Sequence, residues 1–340
     1  MPSLLPVLVY PPLCAYAVWA LWACSETNGL FPAIGKIVHG GSFPDGTPLI
    51  QKYTGHEGAD VWFRTLVTFF FPVTWKSNDG TIEQVQNIFA GIIVGLAGML
   101  ADAYRPKSNF LLWWPSVWGL AFQLIGGGII LPIYSLVSAY FPPSGQPSAK
   151  AAAAIPYSIL VGAILPAFIS LAPGILPRDE HTHQIILAVW QPFPAYVSLV
   201  QALLVYTPLS AIVPKPKNVS KYLGNVFAAL AVAAGALHFA TSVYYRRDLW
   251  DMYVPLFGDI GFRDGAKNFL KWDHLCIHIA LVGYAAAKGR SFWVAGLMPV
   301  IGPGALIGWW LAEAEYATEG KSLGSGVAGK GKKGKKDVAS

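Results

Sequence analysis

Apolar residues gather along this chain into nine stretches, 4–24, 61–75, 88–104, 110–141, 153–175, 185–213, 223–243, 271–288 and 291–312, with polar residues mostly in the gaps. A helix that crosses a bilayer needs roughly 20 mostly apolar residues, with a range of about 17–25. The second stretch is short and the third only just long enough. The fourth is too long for one straight span, and Gly126, Gly127, Gly128 and Pro132 inside it predict a tilted, kinked or broken helix. The pattern predicts an all-α fold, a polytopic membrane helix bundle of seven to nine transmembrane helices, with eight or nine favoured. Residues 1–316 form one integral membrane domain, and 317–340, a Gly-, Ser- and Lys-rich run, a disordered cytoplasmic tail.

Composition supports this class. Charged residues are 12% of the 340, against about 25% in soluble domains. The pI of about 9.1 does not point to nucleic acid, because six of the 24 Lys and Arg sit in the last twenty residues. With nine spans and a cytoplasmic C-terminus, the cytoplasmic segments hold 16 Lys and Arg and the opposite segments seven, the asymmetry expected of a membrane protein. Cys14, Cys24 and Cys276 lie in or beside apolar stretches without a CxxC pair, so neither a zinc site nor a disulfide framework is expected. Met1–Cys24 lacks a basic leading region and reads as a retained first span rather than a signal peptide.

Asp-rich motifs of the DDxxD, NDxxD and DxDD types do not occur, nor do GxGxxG, a P-loop or HExxH. No metal and no cofactor is expected. The close histidines of "HTH" at 181–183 and "HLCIH" at 274–278 read as polar residues at a membrane interface.

Ionisable groups at membrane depth cost roughly 2.5–3.5 kcal/mol on insertion scales and so become functional candidates. Asp60 and Arg64 are spaced to pair on one helix face; alternatively Asp60 faces a polar pocket among apolar walls and acts as a general acid. Asp273 is expected to start a helix, either as a cap or as a second acid, with His274 and His278 as nearby bases. Glu26 and Glu57 are further acid candidates, with solvated loop acids as the alternative, and His238 suits a helix–helix hydrogen bond. Trp62, Trp190, Phe193 and Trp272 lie beside these segments. Aromatic faces stabilise a desolvated cation by up to about 2 kcal/mol, and the same residues crowd membrane interfaces for packing reasons. An acid, aromatic walls and no metal motif together suit carbocation chemistry on a membrane-soluble polyene.

Three stretches carry a resemblance: "YTGHEGADVWFRTLVTFFFPV" at 53–73, "AVWQPFPAYVSLVQ" at 188–201 and "FLKWDHLCIHIALVGYAAA" at 269–287. They resemble the fungal integral-membrane terpene cyclases, in particular the larger type of ascochlorin- and macrophorin-like meroterpenoid pathways, with related proteins in indole-diterpene clusters. The resemblance implies metal-free, acid-initiated cyclisation: protonation of a terminal epoxide or olefin on the prenyl chain of a meroterpenoid precursor in secondary metabolism. It points to Asp60 and Asp273 as catalytic acids and to Trp190, Gln191 and Phe193 as pocket residues; Trp62, Trp272, His238 and His278, read from their positions in the chain, complete the expected substrate-binding set. The implied partners are a lipophilic prenylated substrate, membrane lipids and an upstream epoxidase or prenyltransferase, and the implied location is the endoplasmic reticulum. The competing readings are a transporter with a proton path through Asp60, Arg64, His238 and Asp273, and a non-catalytic scaffold of a biosynthetic complex.

Overall fold

Apolar helices without a soluble face can bury their backbone polar groups only within themselves, and the chain folds accordingly. The computed structural model describes residues 4–75, 81–244, 254–256, 258, 260–289 and 291–330. Among them helix is the only extended regular structure, with a single isolated bridge between Ser42 and Pro48. The helices are α1 (Leu5–Thr27), α2 (Leu30–Gly40), α3 (Glu57–Thr74), α4 (Thr81–Ala103), α5 (Pro115–Ile125) and α6 (Gly127–Tyr140). They continue with α7 (Ala149–Leu171), α8 (Glu180–Trp190), α9 (Phe193–Tyr206), α10 (Val219–Tyr244), α11 (Gly261–Ala286) and α12 (Met298–Lys330).

By length and hydropathy five helices among the described residues can cross a membrane: α1, α4, α7, α10 and the segment Phe292–Glu319 that contains most of α12. The α8–α9 pair, bent by 55° at its break, makes a sixth. The all-α polytopic bundle holds, but this number is below the seven to nine expected, for physical reasons visible in three places.

The apolar run 110–141 is a helical hairpin. Gly126 adopts φ 113°, a conformation that favours glycine, and reverses the chain between α5 and α6. Trp118 and Tyr134 face each other across it at 5.6 Å. Its two stems return to one place, where the Lys107 amide donates to the Ser144 carbonyl (3.3 Å) and Arg105 Nη1 to the Gly145 carbonyl (2.8 Å). The run therefore enters the bundle and leaves on the same side.

The second place is α11, which holds most of the run 271–288 but is not among the helices apolar enough to cross. The run 291–312 is counted within the segment Phe292–Glu319, and its two ends lie close together. The Ser291 amide donates to Glu313 Oε2 (3.1 Å) and Trp310 Nε1 to the Ser291 carbonyl (3.2 Å). Between these contacts the chain dips to Gly302 (φ 80°), which lies against His238 deep on α10. The third place is α3, which is not among the helices apolar enough to cross and carries Glu57, Asp60 and Arg64 in its first half. The tail expected to be unstructured from 317 begins as a continuation of α12 through Lys330, because each residue added to an existing helix gains one hydrogen bond. Residues 331–340 lie outside the described residues.

Helix α4 is central and almost wholly buried. Gly91, Gly95 and Gly98 on it admit His278, Leu281 and Tyr284 of α11 into the space a side chain would take. Small residues of this kind drive close helix packing in lipid, where apolar burial alone gives no preference for a neighbouring helix. Ala231 and Ala234 of α10 meet Gly308 and Gly304 of α12 in the same manner. At the end of the bundle that holds the start of α1, Asp102 accepts from Tyr284 Oη (2.5 Å), Arg105 Nε (3.1 Å) and Lys288, and Arg105 also pairs with Glu315. Each buried charge there has an opposite partner, the condition under which burial is tolerable. Asp273 lies toward the opposite end, where the α5–α6 hairpin turns.

Candidate active site

Asp273 does not begin a helix. α11 starts at Gly261, twelve residues earlier, and Asp273 stands in its middle, 9% exposed. The charged segment preceding it is itself helical because Phe262, Ala266, Phe269 and Leu270 form an apolar stripe at helical spacing. The Asp273 carboxylate group meets the tip of the hairpin, where Oδ1 accepts from the Gly128 amide at 2.6 Å. That amide is one of the unpaired donors at the start of α6, and only glycines fit there: a side chain on Gly128 would press on Cys276 and Asp273.

Asp273 also lines a cavity of about 430 Å³. Its walls are apolar, with Phe31, Phe69, Phe70, Phe89, Phe122 and Phe269 from five different helices set among Ile, Leu and Val side chains. Behind them Trp190 packs on Phe89 (4.5 Å) and Phe70 (5.2 Å), and Phe193 on Phe122 (6.0 Å). Among the described residues no lysine or arginine lines the cavity. A buried carboxyl group and an apolar lining that includes six phenylalanine rings form a site that can deliver a proton and shield a cation from water.

The other expected site residues fall elsewhere. Asp60 is 1% exposed at the start of α3 but does not border this cavity. Its carboxylate accepts from the amides of Tyr53 (3.0 Å), Thr54 (2.7 Å) and Gly55 (3.0 Å) and from Thr54 Oγ1 (2.9 Å). The Thr54 amide and then its neighbours hold the Asp60 carboxyl below its ordinary range, so this group pins the 53–55 loop as an acceptor. Arg64 does not pair with it: Arg64 Nη2 reaches Glu57 Oε1 (2.6 Å) and Nη1 reaches Gln51 (3.0 Å). The Glu57 side chain is 78% exposed, and Glu26 is exposed on α1.

Trp62 lies tilted against Phe63 (4.7 Å), and Trp272 packs edge-on against Tyr16 (5.4 Å) on the α1 side of α11. His238 Nε2 donates to the Pro299 carbonyl (3.3 Å) and His278 Nδ1 to the His274 carbonyl (2.8 Å), both away from the cavity. Gln191 is fully buried beside Trp190. Of the eleven expected residues, then, Asp273 lines the cavity, and Trp190 and Phe193 support its walls.

Gln123 was not foreseen. It lies on the last turn of α5, three residues before Gly126, 9% exposed and lining the cavity with Asp273. The sequence signal was a single amide within an apolar run, to which the cost of polar groups at membrane depth applies as it does to charges.

Residues 6–247 match the CtvD domain. The chain belongs to this family. Members of known name include terpene cyclase ascI of Acremonium egyptiacum, 28% identical over 312 residues, which cover 84% of this chain and 80% of the relative. Terpene cyclase alnG of Emericella nidulans is 24% identical across 81% of this chain and 82% of its own length. Terpene cyclase ctvD of Aspergillus terreus is 27% identical across 45% of this chain and 46% of its own length. No solved structure matches. The family match ends at residue 247 and the ascI match extends over most of the chain. Asp273 lies beyond the family match, whereas the hairpin tip it meets lies within it.

Proposed function

We propose that this chain is a membrane-bound terpene cyclase that uses Asp273 as the proton donor for a lipophilic prenylated substrate. One observation carries the reading: a buried carboxyl group in an apolar cavity that six phenylalanines line and that, among the described residues, no lysine or arginine borders. The family's named members supply the reaction class.

Asp273 transfers its proton to a terminal epoxide oxygen or olefin of the folded chain. In the epoxide case the C–O bond breaks, the oxygen becomes a hydroxyl, and the cation left on carbon is attacked by the next double bond. Ring closure moves the charge along the chain past the phenylalanine faces. A carbon next to the last cation then loses a proton, which restores the double bond and, overall, the acid. No atom is gained or lost. The Gly128 amide stabilises the carboxylate that exists between these steps. The scheme needs no metal, in keeping with a sequence that lacks Asp-rich diphosphate motifs. Meroterpenoid precursors fit as substrates because the cavity offers apolar volume for a prenyl chain.

The same reading covers location. Pro6 near the start of α1 and Glu315 on α12 lie at one end of the bundle, where they border one cavity with Arg105 and Lys288. Among the described residues Arg105, Lys107, Lys150, Lys215, Lys217, Lys221 and Lys288 lie in the segments nearest that end; this grouping replaces the nine-span split, which set Lys150, Lys215, Lys217, Lys221 and Lys288 opposite the C-terminus. The positive-inside rule puts that end in the cytoplasm, with the endoplasmic reticulum as the membrane and membrane lipids and an upstream epoxidase or prenyltransferase as neighbours.

The test is direct. Microsomes containing the protein, supplied with a prenylated phenol epoxide and a chelator, are expected to give a cyclised product of unchanged mass. Activity that disappears with EDTA and returns with magnesium would contradict the metal-free scheme.

A further inference from the structure

The polar groups around the cavity can be accounted for one by one. Trp22 Nε1 donates to the Ile125 carbonyl (2.9 Å), Thr65 Oγ1 to the Val61 carbonyl (2.9 Å), and His39 Nδ1 to the Gly35 carbonyl (2.7 Å). Asp273 Oδ1 is engaged by Gly128. Gln123 differs: its Nε2 is buried and meets no acceptor among the described residues, although it can donate two hydrogen bonds. A buried amide donor without a partner is destabilising. Gln123 nevertheless stands within one turn of the hairpin tip that Asp273 caps, and both residues line the same cavity.

We infer that Gln123 is a positioning residue whose carboxamide donates a hydrogen bond to an oxygen at the reacting end of the substrate, holding it at Asp273. This rests on the cyclase reading and deepens it. An oxirane oxygen has two lone pairs and can accept from Asp273 and Gln123 together. As the C–O bond breaks, negative charge develops on that oxygen, and a second donor fixed beforehand stabilises it. A plain olefin end offers Gln123 nothing, so the pocket discriminates against the deoxygenated chain, as sites built to hydrogen-bond a substrate group do.

The experiment compares Gln123→Met with the wild type, since methionine keeps the length and shape but cannot donate. Binding of a prenylated phenol epoxide and of its deoxygenated olefin is measured by competition on detergent-purified full-length protein, with thermal stability and turnover recorded in parallel. The wild type is expected to prefer the epoxide, and Q123M to lose about tenfold of that preference, the size of one hydrogen bond. Q123M without ligand is expected to melt at the wild-type temperature or higher, because an unsatisfied donor has been removed. Equal binding of epoxide and olefin by the wild type, a preference unchanged in Q123M, or a markedly lower melting temperature would each overturn the inference. Turnover separates the two proposals. A wild type that prefers the epoxide but forms no cyclised product defeats the cyclase reading while leaving Gln123's role in binding intact.

Discussion

Replacing Asp273 by Asn separates the two duties that its position combines. Asparagine keeps a carbonyl oxygen at the place of Oδ1, so the 2.6 Å bond from the Gly128 amide and the cap of α6 can survive. What is lost is the acidic proton. General acid catalysis by a positioned group contributes about 10²–10⁴-fold, which corresponds to about 2.7–5.4 kcal/mol of barrier. Asp273→Ala removes the cap as well, and caps of this kind are worth about 0.5–2 kcal/mol. A proton donor therefore predicts that Asn and Ala variants lose turnover alike, while only the Ala variant melts earlier. A residue that serves only as a cap predicts the reverse for Asn: stability and turnover both close to wild type. The assay is turnover per correctly inserted molecule, with insertion measured on the same preparation. An Asn variant within about threefold of wild-type turnover would refute the assignment, since that is far below the smallest effect expected of a general acid. Apparent substrate affinity is expected to change little if the proton acts in the transition state alone.

Three further outcomes are expected. Gly91→Ala would drive a methyl group into the His278 ring and lower stability by about 1–3 kcal/mol, the usual range for overpacking; combining it with His278→Ala should recover most of the loss in a thermal melt. Reporters fused to the two termini should both register the cytoplasm; a lumenal signal from either end would contradict the proposed orientation, in which Pro6 and Glu315 share the cytoplasmic end. The Asp60 carboxyl is held below its ordinary value of 3.8, so its contribution to stability is complete above that value and is lost as pH falls through the lower folded value. The melting-temperature gap between wild type and Asp60→Asn should accordingly stay constant from neutral pH down to about pH 5 and close only in stronger acid.

The sequence disclosed the class of fold because hydropathy alone decides whether a chain belongs in lipid. It also disclosed the break at Gly126, since three adjacent glycines rarely continue a helix. It did not disclose that the break reverses the chain, because reversal depends on the φ of one residue and on where the stems dock. Asp60 and Arg64 have the spacing of a helical ion pair, yet Glu57 lies closer to Arg64, and three backbone amides compete for Asp60. Spacing shows which groups can meet on a helix and is silent about groups supplied by a loop. Asp273 was recognisable as an acid in an apolar run, but not its partner, since Gly128 is 145 residues away. The phenylalanines of the cavity lie on separate helices and share no local pattern, so the sequence could indicate aromatic content without indicating which rings converge.

The hairpin explains why an acid can be kept dry here without a cation beside it. A carboxyl group in apolar surroundings needs polar partners that carry no full charge, and a helix start supplies them as amide donors. A crossing helix would have presented its termini at the membrane surfaces, in water. A helix that turns back inside the bundle brings its first amides to the depth of the substrate cavity, and the glycines at 126–128 let α11 approach closely enough for Asp273 to reach them. The turn that shortens α5 and α6 below spanning length thus also brings Gln123 and Asp273 to one cavity. In this arrangement the departure from a simple series of spans and the chemistry of the site have the same structural origin.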